Sequence, residues 1–420
     1  MSKITVTDQE ALDYHQFPQS GKISVESSKP VNTQKDLSLA YTPGVAVPCL
    51  EIEKNPADAY KYTAKNNLVA VVTNGTAVLG LGNIGALAAK PVMEGKGVLF
   101  KNFSGLDCFD IELDTESVDR FCSVVTAMAP TFGGINLEDI KSPECFEIER
   151  RLVEELDIPV MHDDQHGTAV ISAAAILNAC EVTHRRIDDL KIVVVGAGAA
   201  AISCAKLYRH MGVREIYMLD SKGVIHNGRG DLNDFKREFS SPHYMTHAEA
   251  FQNTDVVVGL SRPGTFSVED IKLMAKDPIV FTLANPTPEI FPDDVKKARP
   301  DAIIATGRSD FDNQVNNVLG FPYIFRGAMD VRAKKINIEM KVAAAKALAD
   351  LTRKDVPEYI NELYGKEVKF GKEYLIPKPF DKRLIVEISS AVAVAAIESG
   401  SSTMKNFDIK AYKLELATKI

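Results

Sequence analysis

The chain has 420 residues, with 49 Lys and Arg against 57 Asp and Glu and a formal net charge of −8. That length exceeds what a single core organises, so two or three domains are expected. Acidity spread along the whole chain excludes a nucleic-acid partner gripped through its phosphates, yet leaves room for a local basic pocket. The six cysteines, at 49, 108, 122, 145, 180 and 204, form no C-x-x-C pair and read as free thiols in a reducing cytoplasm. The polar start, MSKITVTDQEALDYHQ, is no signal peptide, and the apolar stretch from Ala169 to Cys180 is too short to span a bilayer. A cytoplasmic protein with no membrane partner is expected.

In chain order, a short helix is predicted around Asp8–Tyr14, followed by an extended segment. From Leu68 the run LVAVVTNG reads as a strand closing on an Asn-Gly turn. GLGNIG and a small-residue helix over Ala86–Met93 come next, then a second strand at Gly97–Phe100 and a third at DCFDIEL. Helices are predicted over 117–129 and 143–156, and a long small-residue helix over 167–182. KIVVV (191–195) is a buried-type strand that leads through GAGAAA into an apolar helix ending at His210. Strands IYML, VVVG, IVFTL and IIA follow, separated by helix-length segments, and helices close the chain near 336–352, 383–398 and 408–418.

This alternation predicts an α/β fold: an N-terminal α/β domain, then a doubly wound, Rossmann-type parallel sheet, then C-terminal helices. The expected divisions are 1–160 for the first domain, 161–400 for the dinucleotide domain and 401–420 for a terminal helical segment. The final helices are expected to fold back over the first domain.

The G-x-G-x-x-A fingerprint carries the sharpest chemistry. Gly196 permits the tight turn, Gly198 lets the backbone approach a pyrophosphate, and Ala201 allows close helix–sheet packing. Asp220, at the end of the next strand, is placed to accept the adenosine ribose hydroxyls, which favours NAD. Ser221, Lys222 and Arg229 stand close enough in sequence to hold a 2′-phosphate, so NAD and NADP both remain open. The second glycine run, 80–85, lacks an acidic partner at the right distance and reads as a loop shaping a cleft.

Acidic residues gather at Glu138-Asp139 and Asp163-Asp164, each pair at an element end. Three carboxylates with waters and substrate oxygens suit octahedral Mg²⁺ or Mn²⁺, while helix capping is the competing explanation. His162 and His166, four apart, offer a zinc-hydrolase alternative. Lys96 lies between Gly95 and Gly97, so its backbone reads as exposed; Tyr41 precedes a rigid Thr-Pro-Gly turn. Asn285 ends a strand at the ligand-binding edge of the sheet, and Asn316-Asn317 are amides suited to a carboxylate or hydroxyl.

Together these stretches resemble the malic enzymes of short bacterial type. The matching runs are LSLAYTPGVAVPC, VVTNGTAVLGLGNIGALAAKPVMEGKGVLFK, FGGINLEDIKSPECFEIE, PVMHDDQHGTAV, IVVVGAGAAA, FTLANPTPE and TGRSDFDNQVNNVLGFPYIFRGA. The resemblance implies oxidative decarboxylation of (S)-malate to pyruvate and CO₂ with NAD or NADP and Mg²⁺ or Mn²⁺, by a homodimer or higher homo-oligomer. It implies Lys96 as general base, Tyr41 as general acid and Glu138, Asp139 and Asp164 as metal ligands. Asp163 is then a supporting carboxylate, and Asn285, Asn316 and Asn317 are substrate amides. Larger eukaryotic-type relatives carry an Arg before the L-G-L-G run; here Ala77 stands in that place. Some short malic enzymes form the N-terminal half of hybrids with a phosphotransacetylase-like domain.

Overall fold

The computed structural model describes residues 6–419. Two parallel sheets follow one another along the chain. The first has four strands, β1 (Leu68–Thr73), β2 (Asp107–Glu112), β3 (Gly134–Leu137) and β4 (Val160–His162), in the order β2-β1-β3-β4. The second comprises β5 (Lys191–Val195), β6 (Glu215–Asp220), β7 (Gly223–Val224), β8 (Val256–Gly259), β9 (Ile279–Thr282) and β10 (Ile303–Thr306). Its order is β10-β9-β8-β5-β6-β7, with only the short β7 antiparallel. The order reverses at β5, so the turn after β5 opens at the switch point where α/β sheets bind ligands.

The composition of β5 explains its position. Ile192 and Val194 face one core, while Val193 and Val195 face another, so the strand is covered on both sides. The larger core runs without interruption from β1 and β3 through the Asp163–Thr183 helix to β5 and the Ile338–Thr352 and Arg383–Glu398 helices. Ala169, Ala173, Ala174, Ala175 and Ala179 are all buried on the Asp163–Thr183 helix, where their size permits close helix contacts.

The first sheet differs from its sequence reading in two respects. Gly97–Phe100 is not a strand but the middle of the Ala86–Ser104 helix, which runs through Pro91, Gly95 and Gly97. The short apolar run VLF fits either period, and burial of Met93, Gly97, Phe100 and Ser104 at helical spacing decides it. The glycines do not leave Lys96 exposed, as its sequence setting suggested: Gly97 seats the helix against Cys108 of β2. The sheet also takes two short strands, β3 and β4, that were not anticipated.

The Phe321–Asp330 helix, late in the chain, packs back on the first sheet's layer. Phe100 sits edge-on to Phe321 and Phe325, with ring centroids 4.8 and 5.5 Å away. Phe100 is fully buried, so Phe100→Ala should cost about 3–5 kcal/mol in a urea titration. A loss under about 1 kcal/mol would contradict its role in joining these layers.

Candidate active site

Strand register builds the site. β3 and β4 are parallel neighbours with Leu137 opposite His162, so the residues just past each strand emerge side by side. Those residues are Glu138-Asp139 and Asp163-Asp164. Asp163 and Asp164 also open the Asp163–Thr183 helix, where unpaired N–H groups and the helix dipole favour negative charge. Asp139 takes φ +53°, an unusual conformation for a non-glycine residue, and its N–H donates to Asp164 Oδ2 at 2.8 Å. One oxygen each from Glu138, Asp139 and Asp164 lie within 4.8 Å of one another, and these three residues are the only such carboxylate, His or Cys group among the described residues.

Lys96 reaches this cluster from the Ala86–Ser104 helix. Its Nζ lies 2.7 Å from Asp163 Oδ2, 3.0 Å from Glu138 Oε1 and 4.4 Å from the centre of the Phe321 ring. Burial opposes the ammonium, but Asp163, Glu138 and Asp164 outweigh it and raise the Lys96 pKa. The carboxylates pay for their crowding. Burial, partly offset by Lys96, pushes the Glu138 pKa well above the usual carboxylate range. Burial and the Asp164 charge lift Asp139 to about 7.

This donor set fits a hard divalent cation. All the donors are carboxylate oxygens, and Asp139 Oδ2 is buried without a hydrogen-bond partner, as is Asp163 Oδ1 nearby. Glu138 is oriented by Asn136, whose Nδ2 donates to Glu138 Oε2 at 2.8 Å. Sequence reasoning missed Asn136, which lies on β3 two residues before Glu138, itself just past the end of that strand.

Asn317 joins the cluster from the second domain. Its Nδ2 donates to Asp163 Oδ2 at 3.2 Å, and its Oδ1 accepts from Thr168 Oγ1. Asn316 instead uses its side-chain oxygen to cap the short 3₁₀ turn at Asn317–Leu319. Asn285 is exposed at the carboxyl end of β9, over Gly307, and the Gly80 loop lies against its backbone. Tyr41 does not join the cluster within one chain: the residue is 72% exposed.

The histidine pair does not make a zinc site. His166 Nε2 is paired with Glu149 at 2.9 Å, and His162 is fully buried beside Asp164, with its Nδ1 3.7 Å from Oδ2. Burial opposes the charge of Glu149, but His166 and Lys341 hold its pKa down to about 2.

The dinucleotide fingerprint has the required geometry. Gly196 has φ +123°, and a Cβ there would strike the Leu260 carbonyl. Gly198 precedes the Ala199–His210 helix, with open space where a side chain would stand, and Ala201 is buried. Asp220 departs from its expected role. Its carboxylate is already held by Arg229 through two bonds of 2.8 and 2.9 Å and by Lys236 at 2.8 Å. Burial opposes that charge, but these two cations lower the Asp220 pKa to about 2. It is therefore not a free acceptor for ribose hydroxyls.

Two family models cover most of the chain: the malic enzyme N-terminal domain over residues 20–153 and the malic enzyme NAD binding domain over residues 165–366. The chain belongs to the malic enzyme family. A probable NADP-dependent malic enzyme of Rickettsia prowazekii is 56% identical over all of this chain and 55% of its own length. An NADP-dependent malic enzyme of Halomonas elongata is 57% identical over 93% of this chain and 94% of its own length. The crystal structure of malic enzyme from Pyrococcus horikoshii superposes with a TM-score of 0.88 at 41% identity, covering 98% of this chain and 95% of that one. The chain thus spans about half the length of the first curated relatives it matches. No helix among the described residues is long and apolar enough to cross a membrane.

Two predictions follow from this geometry. Raising the pH through about 7 should strengthen Mn²⁺ binding, because a cation must displace the proton on Asp139. Calorimetric titration at several pH values checks this, and a flat profile between pH 5.5 and 8 would refute it. A Cβ at Gly167 would collide with Asp163 Oδ1 and crowd Asn317. Gly167→Ala should therefore weaken Mn²⁺ binding by about tenfold or more, with the circular dichroism spectrum unchanged.

Proposed function

We propose that this protein oxidises and decarboxylates (S)-malate to pyruvate and CO₂, with NADP⁺ as hydride acceptor and Mg²⁺ or Mn²⁺ as resident cation. The observation that carries this reading is one lysine set among four convergent carboxylates, three of them spaced for a cation. Glu138, Asp139 and Asp164 would hold the cation. It supplies a Lewis acid for substrate oxygens and a positive charge offsetting the carboxylates that keep Lys96 protonated. NADP⁺ supplies the hydride acceptor.

Lys96, once deprotonated, takes the proton from the C2 hydroxyl as hydride leaves C2, giving oxaloacetate. Asp163 and Asn317 hold Lys96 and the substrate end of the cleft in register. Cleavage of the C3–C4 bond releases CO₂ and leaves an enolate of pyruvate. Tyr41 protonates C3. Asn285 contacts the substrate from the dinucleotide side. Groups in such acid–base roles typically contribute about 10²–10⁴-fold each. Lys96→Ala should lose at least ~100-fold in kcat while still binding NADPH, and near-normal turnover would remove Lys96 from the mechanism. Asp164→Asn should abolish Mn²⁺ binding, which electron paramagnetic resonance of free Mn²⁺ measures directly.

NADP⁺ is favoured over NAD⁺ because Asp220 is saturated by cations. Lys222 and Arg229 also share Asp231, so a cationic platform surrounds the end of β6. The named NADP dependence of the Rickettsia and Halomonas relatives points the same way. Lys236→Ala should cut kcat/KM for NADP⁺ by about 10- to 100-fold, the worth of one charge-assisted hydrogen bond, with little change for NAD⁺. Equal losses with both cofactors would refute a 2′-phosphate role.

A homodimer completes the site. The four helices between Asp8 and Tyr62 bury no residue, and Leu39, Val47 and Leu50 on them are exposed, as is Tyr41 just past the Gln34–Ala40 helix. This apolar face suits a second copy, whose Lys96 Tyr41 would serve. Mixing inactive Tyr41→Phe and Lys96→Ala proteins should then restore up to about a quarter of wild-type activity; no recovery after subunit exchange would place Tyr41 elsewhere. Free thiols and a small diffusible substrate suit a cytoplasmic enzyme.

A further inference from the structure

The start of the Asp163–Thr183 helix carries both Asp163 and Asp164, yet its N-cap residue, His162, supplies no side-chain cap. β4 is also the edge of its sheet, so one side of its backbone faces no neighbouring strand. The strand-to-helix turn would be loosely held if nothing else gripped it.

Glu149 grips it. This residue lies on the Glu144–Glu155 helix, with its side chain 13% exposed. Its Oε1 accepts the backbone N–H of His162 at 2.9 Å. His166 Nε2 lies 2.9 Å from the same oxygen and 3.0 Å from Oε2. One carboxylate thus holds residue 162 at the end of the strand and residue 166 one turn into the helix. Asp163 and Asp164 lie between these two holds. The clamp fixes the rotation of the helix about its axis, and so where those two carboxylates point.

We infer that Glu149 is a positioning residue for the cation site, acting through His162 and His166 and touching neither substrate nor cation. Partners that orient metal ligands from behind typically affect metal affinity by about 10- to 100-fold. This role rests on the malic-enzyme reading of the cluster, and the experiment separates the two.

Mn²⁺ binding is measured by electron paramagnetic resonance without malate or dinucleotide, for wild type, Glu149→Gln, Glu149→Ala, His166→Gln and Asp164→Asn. Glu154→Gln is the control, since Glu154 is an exposed partner of Arg150 on the same helix. Glu149→Ala should weaken Mn²⁺ binding by about tenfold or more, with Glu149→Gln and His166→Gln intermediate. NADPH binding, read by fluorescence, should stay within about twofold of wild type in every Glu149 and His166 variant. Glu154→Gln should bind Mn²⁺ like wild type. Unchanged Mn²⁺ affinity in the Glu149 variants overturns the positioning role. Parallel loss of Mn²⁺ and NADPH binding in Glu149→Gln and His166→Gln also overturns it, because that marks a general structural contribution. If Glu149→Ala does not fold, these two milder variants decide the matter. Asp164→Asn retaining full Mn²⁺ affinity would refute the cation site itself, and this role with it.

Discussion

The Lys96 ammonium between Asp163 and Glu138 is the interaction on which the site depends. It joins a helix of the first domain to the ends of β3 and β4 and to the helix that leads into the second sheet. One cation faces four carboxylates there, so negative charge remains in excess in a place with little water. Removing a single partner from such a network strands a buried charge, which ordinarily costs several kcal/mol. The crowding is locally unfavourable, and a divalent ion sharing the charge would relieve it.

The rest of the fold holds that crowding in place. Parallel register brings the two acidic pairs to one level. Phe321 lies beneath Lys96, and Asn317, from the turn before the same helix, bonds Asp163. Both belong to the segment that follows β10, so the second domain closes one wall of a site whose charges come mainly from the first. The Gly80 loop against Asn285 and Pro286 makes a second contact between the two halves. The malic and dinucleotide parts therefore share one site instead of communicating across a linker.

Much of this was legible in the sequence because it obeys local rules. The strand–G-x-G-x-x-A–helix unit needs only a turn, two glycines and an apolar strand, and it lies where its pattern placed it. The acidic pairs stood out because each ends an element. Other features were hidden because they depend on distant parts of the chain. VLF at 98–100 reads equally as strand or helix, and only its buried neighbours decide. Asp220 has the spacing of a ribose acceptor, but Arg229 and Lys236 return to occupy it after an intervening loop. Asn316 and Asn317 look equivalent in sequence, yet one caps a turn and the other reaches Asp163.

The sequence by itself determined an α/β fold with a parallel dinucleotide sheet, the dinucleotide turn and the identity of the acidic and basic groups. Periodicity, turn chemistry and spacing act over a few residues, and those distances are written directly in the chain. Only the tertiary structure decided which charges meet. Lys96 and Asp163 are 67 positions apart, and Asn317 and Asp163 are 154 apart. Glu149 lies 13 positions before the His162 N–H that it holds. Their encounter is set by strand register and helix packing, which are sums over the whole core and belong to no single segment.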